Sequence, residues 1–168
     1  MNFSKNTEPV IVGIGSTIII GLLSFLSYET STGFWLMISF GPTVFIALAL
    51  HKSDIAQPKN IFLGHLVCIV TGIIFNEFIG VSFITLGLSV GISVVLMMYF
   101  KCVHPPAVAN PLIALLSDVS FEYILFPVIS GSLLIIVLSI IINKYILKRN
   151  YPMTVSYTHL TLPTSDLV

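Results

Sequence analysis

Charge is scarce in this chain. Only 8% of its 168 residues are Asp, Glu, Lys or Arg, against 56% hydrophobic residues and a strongly positive mean hydropathy, whereas soluble domains carry about 25% charged residues. The shortage excludes a soluble globular domain and points to an integral membrane protein whose first partner is the lipid bilayer. Seven basic residues balance seven acidic ones, which excludes the basic surface that nucleic acid requires. Cysteine is scarce too. Cys68 and Cys102 sit in or beside apolar segments without zinc or secreted-disulfide spacing, so both read as packing thiols. The chain also lacks a Ser-His-Asp set, a His-Glu-x-x-His motif and a second pair to complete Cys102 and His104 as metal ligands. Neither an enzyme, nor a metal site, nor a required cofactor is expected.

What the chain has instead is apolar runs. The first, Val10 to Tyr28, follows a start with a single lysine, Lys5, and no small-residue cleavage site, so it reads as a retained span. Phe34 to Leu50 is a second, short and interrupted by Gly41-Pro42. Ile61 to Ile79 and Val81 to Phe100 follow as a tight hairpin, and Phe121 to Asn143 is the last, closed by Lys144, Lys148 and Arg149. Crossing about 30 Å of hydrocarbon takes about 20 residues. Ala107 to Leu116 covers only about 15 Å as a helix and cannot cross alone.

Charge parity decides whether that short segment crosses. With six crossings, Lys5, Lys52, Lys59, Lys101, Lys144, Lys148 and Arg149 share one side, and Glu29, Glu77, Asp118 and Glu122 share the other. With five, the positive-inside bias nearly vanishes. The expected fold is therefore all-α: a polytopic membrane helix bundle with six membrane segments, the second and fifth short or broken, in the cell (inner) membrane with both termini cytoplasmic. Three plus three segments would make any relation between the halves an inverted repeat. Gly41-Pro42-Thr43-Val44-Phe45-Ile46-Ala47-Leu48 faintly echoes Asn110-Pro111-Leu112-Ile113-Ala114-Leu115, each in the middle of its triplet. Gly87 and Gly91 form a small-residue stripe on the fourth span, expected to pack within the bundle, with a homo-oligomer left open.

Residues 1–150 are read as the membrane domain and 151–168 as an unstructured tail. The stretch Val155 to Val168 has no helical period and resembles a translated sequencing adapter, so it and His159 are set aside, and the natural C-terminus is expected to differ.

Candidate functional residues gather at punctuation. Pro105, Pro106 and Pro111 fall within seven residues, where they remove backbone donors and disfavour helix. Non-helical backbone at membrane depth marks a cavity. His104 and Asn110 belong to this stretch. His104 could titrate or donate to an anion, or it could merely cap carbonyls at a helix end. Gln57, Lys59 and Asn60 surround Pro58 at a helix start, a natural anion seat or an ordinary cytoplasmic turn. His65, one turn inside the third span, reads as a site residue or as a partner of a neighbouring helix. Gly41 and Pro42 would either start a helix near mid-membrane or kink one. Haem between His65 and His104 would need two imidazoles facing across the bundle.

These blocks together resemble the HPP integral membrane proteins, named for the His-Pro-Pro seen here as His104-Pro105-Pro106. Phe40-Gly41-Pro42-Thr43, then Ala56-Gln57-Pro58-Lys59-Asn60 and Gly64-His65-Leu66, are similar to the family's other recurrent block, in which arginine is common in place of Lys59. The resemblance runs from the second span to the end of the fifth. It implies transport, since members in plant chloroplasts and cyanobacteria are associated with nitrite movement. A fused CBS nucleotide-binding module, present in some relatives, is not seen in these 168 residues, so nucleotide regulation is not carried over. The leading expectation is passage of a small inorganic anion, nitrite first, at a substrate site built from the residues above. The alternative is a non-transporting module that binds a partner or a cofactor such as haem.

Overall fold

The computed structural model describes residues 7–153. Residues 154–168 of the expected tail, His159 included, and the charge of Lys5 lie outside the described residues. Within them every regular element is a helix and there is no strand. Helix α1 covers Glu8–Tyr28, α2 Phe40–Ala49, α3 Pro58–Phe78, α4 Phe83–Tyr99, α5 Asn110–Leu116 and α6 Ser130–Ile141. Wider turns extend α6 at both ends, over Ile124–Ile129 and Ile142–Ile146. A 3-10 turn, Asp54–Ala56, precedes α3, and another, Pro105–Ala109, leads into α5. Three helices are long and apolar enough to cross a membrane: α1, α3 and the continuous Ile124–Ile146. α2, α4 and Pro105–Leu116 are shorter apolar helices.

Local chemistry sets these limits. Pro58 opens α3 behind an extended Gln57 (φ −74°, ψ 146°), because a residue before proline is driven out of the helical region and proline is preorganised for the first turn. Ser82 and Thr85 cap α4 reciprocally through their hydroxyls. α4 ends where Lys101 turns left-handed (φ 51°) and the Cys102 N–H reaches back to the Met97 carbonyl at 2.9 Å. Asp118 (φ 48°) and Lys148 (φ 56°) stop α5 and the extension of α6 in the same way, with Val119 N–H on Ala114 O and Arg149 N–H on Asn143 O. Gly41-Pro42 does not interrupt a longer helix. It lies in the first turn of α2, where the missing proline donor has no intrahelical partner to lose. The preceding backbone is held instead by Ser27, whose hydroxyl accepts the N–H groups of Trp35 and Leu36.

α3 is the centre of the bundle and packs against α4, α5 and α6. Small residues let α5 come close. A Cβ on Gly72 would lie 2.6 Å from the Pro111 Cα and 2.7 Å from the Ala114 Cβ, and one on Gly64 would lie 2.7 Å from the His104 Cβ. Cys68, between them on the same face, packs with Ala107 and Met97. Gly87 and Gly91 behave differently: a Cβ at either meets nothing within 4 Å. The expectation that this stripe packs within the bundle is corrected. α4 instead turns Thr85, Ser89, Ser93 and Met97 inward, so the glycines fall on its outer side.

Two sets of contacts gather the helix ends. In one, Arg149 pairs with Glu8 and donates to the Leu48 carbonyl. Beside it, the Tyr151 hydroxyl donates to Ala56 O and the Asn60 amide to Val103 O. In the other, Asn76 donates to Asp118 at 2.8 Å and Trp35 stacks edge-on against Phe126. Tyr151 is buried despite its place at the start of the expected tail.

Candidate functional site

The largest polar feature of the interior is assembled from three helices and a linker. Ser39 and Thr43 come from α2 and its cap, His65 from α3, His104 from the linker after α4, and Asn110 from the first position of α5. All five are buried, and His65, Thr43, His104 and Asn110 are fully so. A buried polar group without a partner costs about 1–3 kcal/mol, so each must be hydrogen-bonded.

Ser39 Oγ donates to Asn110 Oδ1 at 2.8 Å. Asn110 Nδ2 donates to the His65 carbonyl at 3.2 Å and faces His65 Nδ1 at 3.0 Å. The Thr43 hydroxyl sits between the imidazoles, 2.9 Å from His65 Nε2 and 3.0 Å from His104 Nε2, and 2.8 Å from the Ser39 carbonyl. His104 Nδ1 lies 2.7 Å from the Ile55 carbonyl. The rings of His65 and His104 meet at 5.1 Å between centroids, and Phe40 lies edge-on to His65 at 5.2 Å.

Local structure explains how these side chains meet. After α4 has ended at Lys101, the prolines hold His104 extended, and the chain follows α3 as a 3-10 segment before α5 begins. Gly64 permits that approach. Ser39 and Thr43, four residues apart, present their hydroxyls on one side of α2.

The expected site residues divide into three groups. His65, His104 and Asn110 come together in the cluster, with Pro106 buried beside them and Pro105 exposed. Gln57, Lys59 and Asn60 lie at the adjoining end of the bundle. Gln57 clamps its loop by donating to the His51 and Ser53 carbonyls and accepting the Met153 N–H. Asn60 ties α3 to the residue before His104. Lys59 is exposed and lines an open groove of about 790 Å³ together with Asp54, Ile55, Lys101, Val103 and Met98. Ile55 connects this groove to His104, since it lines the groove and its carbonyl is the partner of His104 Nδ1. The third group, Gly41 and Pro42, is exposed on α2 and supplies none of the cluster's hydrogen bonds described above.

Sequence reasoning missed the roles of Ser39 and Thr43. The available signal was Thr43 inside the Phe40-Gly41-Pro42-Thr43 block, with a second hydroxyl one turn earlier. His51, in the loop after α2, is held below its ordinary pKa, first by burial and then by the positive charges of Arg149 and Lys52, against an opposing pull from Glu8.

The cluster does not fit haem. Both Nε2 atoms are turned onto a single threonine hydroxyl, and the space a macrocycle would need is filled by Thr43. Among the described residues no group of three or more His, Cys, Asp or Glu is placed to hold a metal.

Comparison with known proteins agrees with the apolar bundle. The chain is 32% identical over 150 residues to a transmembrane protein of Dictyostelium discoideum, covering 83% of this chain and 48% of that protein. A second Dictyostelium discoideum transmembrane protein is 29% identical over 123 residues, 68% of this chain and 43% of its own length. The chain thus spans about half the length of the curated relatives it matches. No solved structure matches it. The model of the HPP transmembrane region matches residues 2–152, and with the His-Pro-Pro turn lodged against α3 the chain belongs to the HPP family of membrane proteins.

Proposed function

We propose that this protein carries a small inorganic anion across the membrane without changing it chemically, with nitrite as the first candidate. The observation that supports this most directly is the fully buried Thr43–His65–His104–Asn110 cluster, set between the short α2 and α5, the long α3 and a linker inside an apolar bundle, and joined through Ile55 to a groove lined by Lys59 and Lys101. Ionisable groups beside non-helical backbone in a membrane line pathways more often than they merely fill space. Lys59 and Lys101 would collect the anion at the mouth, and the cluster would receive it deeper in the protein. Membership of the HPP family is consistent with transport.

The topology proposed with this function is six crossings in the inner membrane, with both termini cytoplasmic. Glu8, Leu48, Ala56, Val103, Arg149 and Tyr151 are linked by contacts at one end of the bundle. Asn76, Asp118, Trp35 and Phe126 meet in pairs elsewhere, at the opposite ends of the same helices. α2 and α5 are the middle elements of two triplets, and their Ser39 and Asn110 side chains bond each other, which favours an inverted repeat built around the site.

Uptake by reconstituted vesicles tests the proposal. Vesicles containing the protein should accumulate nitrite, and His104→Ala should abolish the accumulation. If folded protein takes up nitrite, nitrate and formate no faster than empty vesicles, transport is the wrong function.

A further inference from the structure

The hydrogens of the buried cluster can be counted from its fixed partners. The Ile55 carbonyl only accepts, so His104 Nδ1 carries a hydrogen. The His65 carbonyl likewise fixes the Asn110 amide as a donor on the side facing His65, and His65 Nδ1 therefore presents a lone pair. The proton of neutral His65 is on Nε2 and is donated to Thr43. A second proton on His65 would put two donors nose to nose at 3.0 Å, so His65 is locked neutral.

His104 is under no such lock. Its Nε2 meets only the Thr43 oxygen, and that hydroxyl has two acceptors within reach, His104 Nε2 at 3.0 Å and the Ser39 carbonyl at 2.8 Å. With His104 neutral, the hydroxyl donates to Nε2. With His104 protonated, Nε2–H donates to Thr43, whose oxygen then accepts from both imidazoles, and the hydroxyl hydrogen swings to the Ser39 carbonyl. Both states satisfy every group, and only one hydrogen rotates between them.

The charge itself is unsatisfied. His104 is fully buried, and a lone buried cation is strongly disfavoured. α2 and α5 contribute only neutral Ser39, Thr43 and Asn110, α3 contributes the locked His65, and Cys102 flanks it in the linker. Asp54, Lys59 and Lys101 stand beyond Ile55 and Val103 in the groove. Among the described residues no carboxylate shares the cluster's hydrogen bonds to hold the proton there. A monovalent anion arriving from the groove would supply the missing charge, and each ion would make the other's binding favourable.

We propose that His104 Nε2 is the proton site of a proton–anion symport, in which one proton and one monovalent anion enter and leave as a neutral pair. The proton comes from water at the groove side and returns to water when the anion departs. Thr43 is the positioning residue that accepts the Nε2 proton. This inference rests on the anion-transport proposal.

Two measurements test it on the intact protein, with nitrite as probe. In vesicles carrying an internal pH dye, nitrite uptake above empty vesicles should acidify the lumen, and accumulation should rise about tenfold per unit of imposed pH gradient, as a one-to-one pair requires. Uptake with neither response leaves transport standing and overturns the symport. Nitrogen NMR of labelled histidines forms the second arm and needs no transport. Adding nitrite between about pH 5 and 8 should convert His104 to its doubly protonated form while His65 keeps its single Nε2 proton. Thr43→Ser should preserve that response and Thr43→Val should lose it. If vesicles take up nothing, transport fails, and the proton–anion pairing survives only if nitrite still protonates His104. If nitrite leaves His104 neutral throughout, the inference is wrong.

Discussion

His65 and His104 face each other at 5.1 Å with the Thr43 hydroxyl hydrogen-bonded to the Nε2 of both. Two imidazoles from distant parts of the chain thus share one oxygen, and the identity of residue 43 controls both. Thr43→Val keeps the shape and removes the oxygen, so each imidazole loses its Nε2 partner. At about 1–3 kcal/mol per buried orphan, the variant should lose at least about 2 kcal/mol, while Thr43→Ser should stay close to the parent. Thermal exposure of the buried thiols Cys68 and Cys102 to a fluorogenic reagent reads this directly.

The close approach of α5 to α3 depends on Gly72, whose added Cβ would strike the Pro111 backbone. Gly72→Ala should cost about 1–3 kcal/mol by overpacking. Gly87→Ala, on the open side of α4, should instead be neutral or gain up to about 1 kcal/mol from helix propensity. The same thiol-exposure melt separates the two, and a comparable loss at both positions would contradict the packing described.

Arg149 donates to the Leu48 carbonyl at the end of α2 and to Asn143 Oδ1, and it pairs with Glu8. Its partners differ in exposure. Arg149→Met should cost about 2 kcal/mol, the range for hydrogen bonds to a charged group. Glu8→Gln should cost under about 1 kcal/mol, because the Glu8 carboxylate is half exposed and its pair is screened. Equal effects would mean that the ion pair, and not the carbonyl cap, is the important contact.

His51 has a depressed pKa in the folded state, so the unfolded chain binds its proton more readily. Stability tied to His51 is full above its ordinary value of about 6.5 and is lost as pH falls toward the lowered folded value. Melting temperatures taken from about pH 7 down to pH 5 should fall in the parent and fall less in His51→Gln. Identical slopes would remove His51 as a cause.

Sidedness can be read with a membrane-impermeant thiol reagent. Cysteines placed at Lys52, Lys101 or Lys144 should label from the cytoplasmic face, and cysteines at Glu29 or Glu77 from the opposite face. Burial raises the pKa of the native Cys102 thiol, which keeps it a poor competitor for the reagent. Labelling of residues 101 and 144 from opposite faces would replace six crossings with five.

The helices were legible because the bilayer leaves so few options: the apolar runs are helical over most of their length, Phe34 to Ser39 being an exception, and Pro58 and Pro105 to Pro111 marked breaks that the structure has in the same places. His65, His104 and Asn110 stood out because polar side chains with rings or amides are rare in such runs. Hydroxyls are not rare there. Ser16, Thr17, Ser27 and Thr71 all donate to the carbonyl four residues back, a bond that any helical Ser or Thr can make. Thr43 has the Ser39 carbonyl within the same reach, 2.8 Å, and also meets two histidines. Apart from its place in the Phe40-Gly41-Pro42-Thr43 block, nothing local distinguishes it from the others until α3 and the linker are in place. The glycines teach the same lesson, since Gly72 and Gly87 look alike in sequence and only one of them meets a neighbour.

α2 has 10 residues, about 15 Å of helix, and its Gly41, Pro42 and Phe45, with Ile38 just before it, are exposed on the outer surface of the bundle. Lipid beside this helix therefore meets barely half of the usual hydrocarbon span before reaching the irregular backbone at Phe34 to Ser39. With α2 as one of the proposed crossings, the surrounding leaflet would have to pinch inward there, because unpaired peptide groups are not tolerated among acyl chains. Bilayer thickness thus acts as a physical load on α2 and on the Thr43 it carries. Turnover in vesicles should fall as the acyl chains are lengthened, although no residue and no ion has been altered.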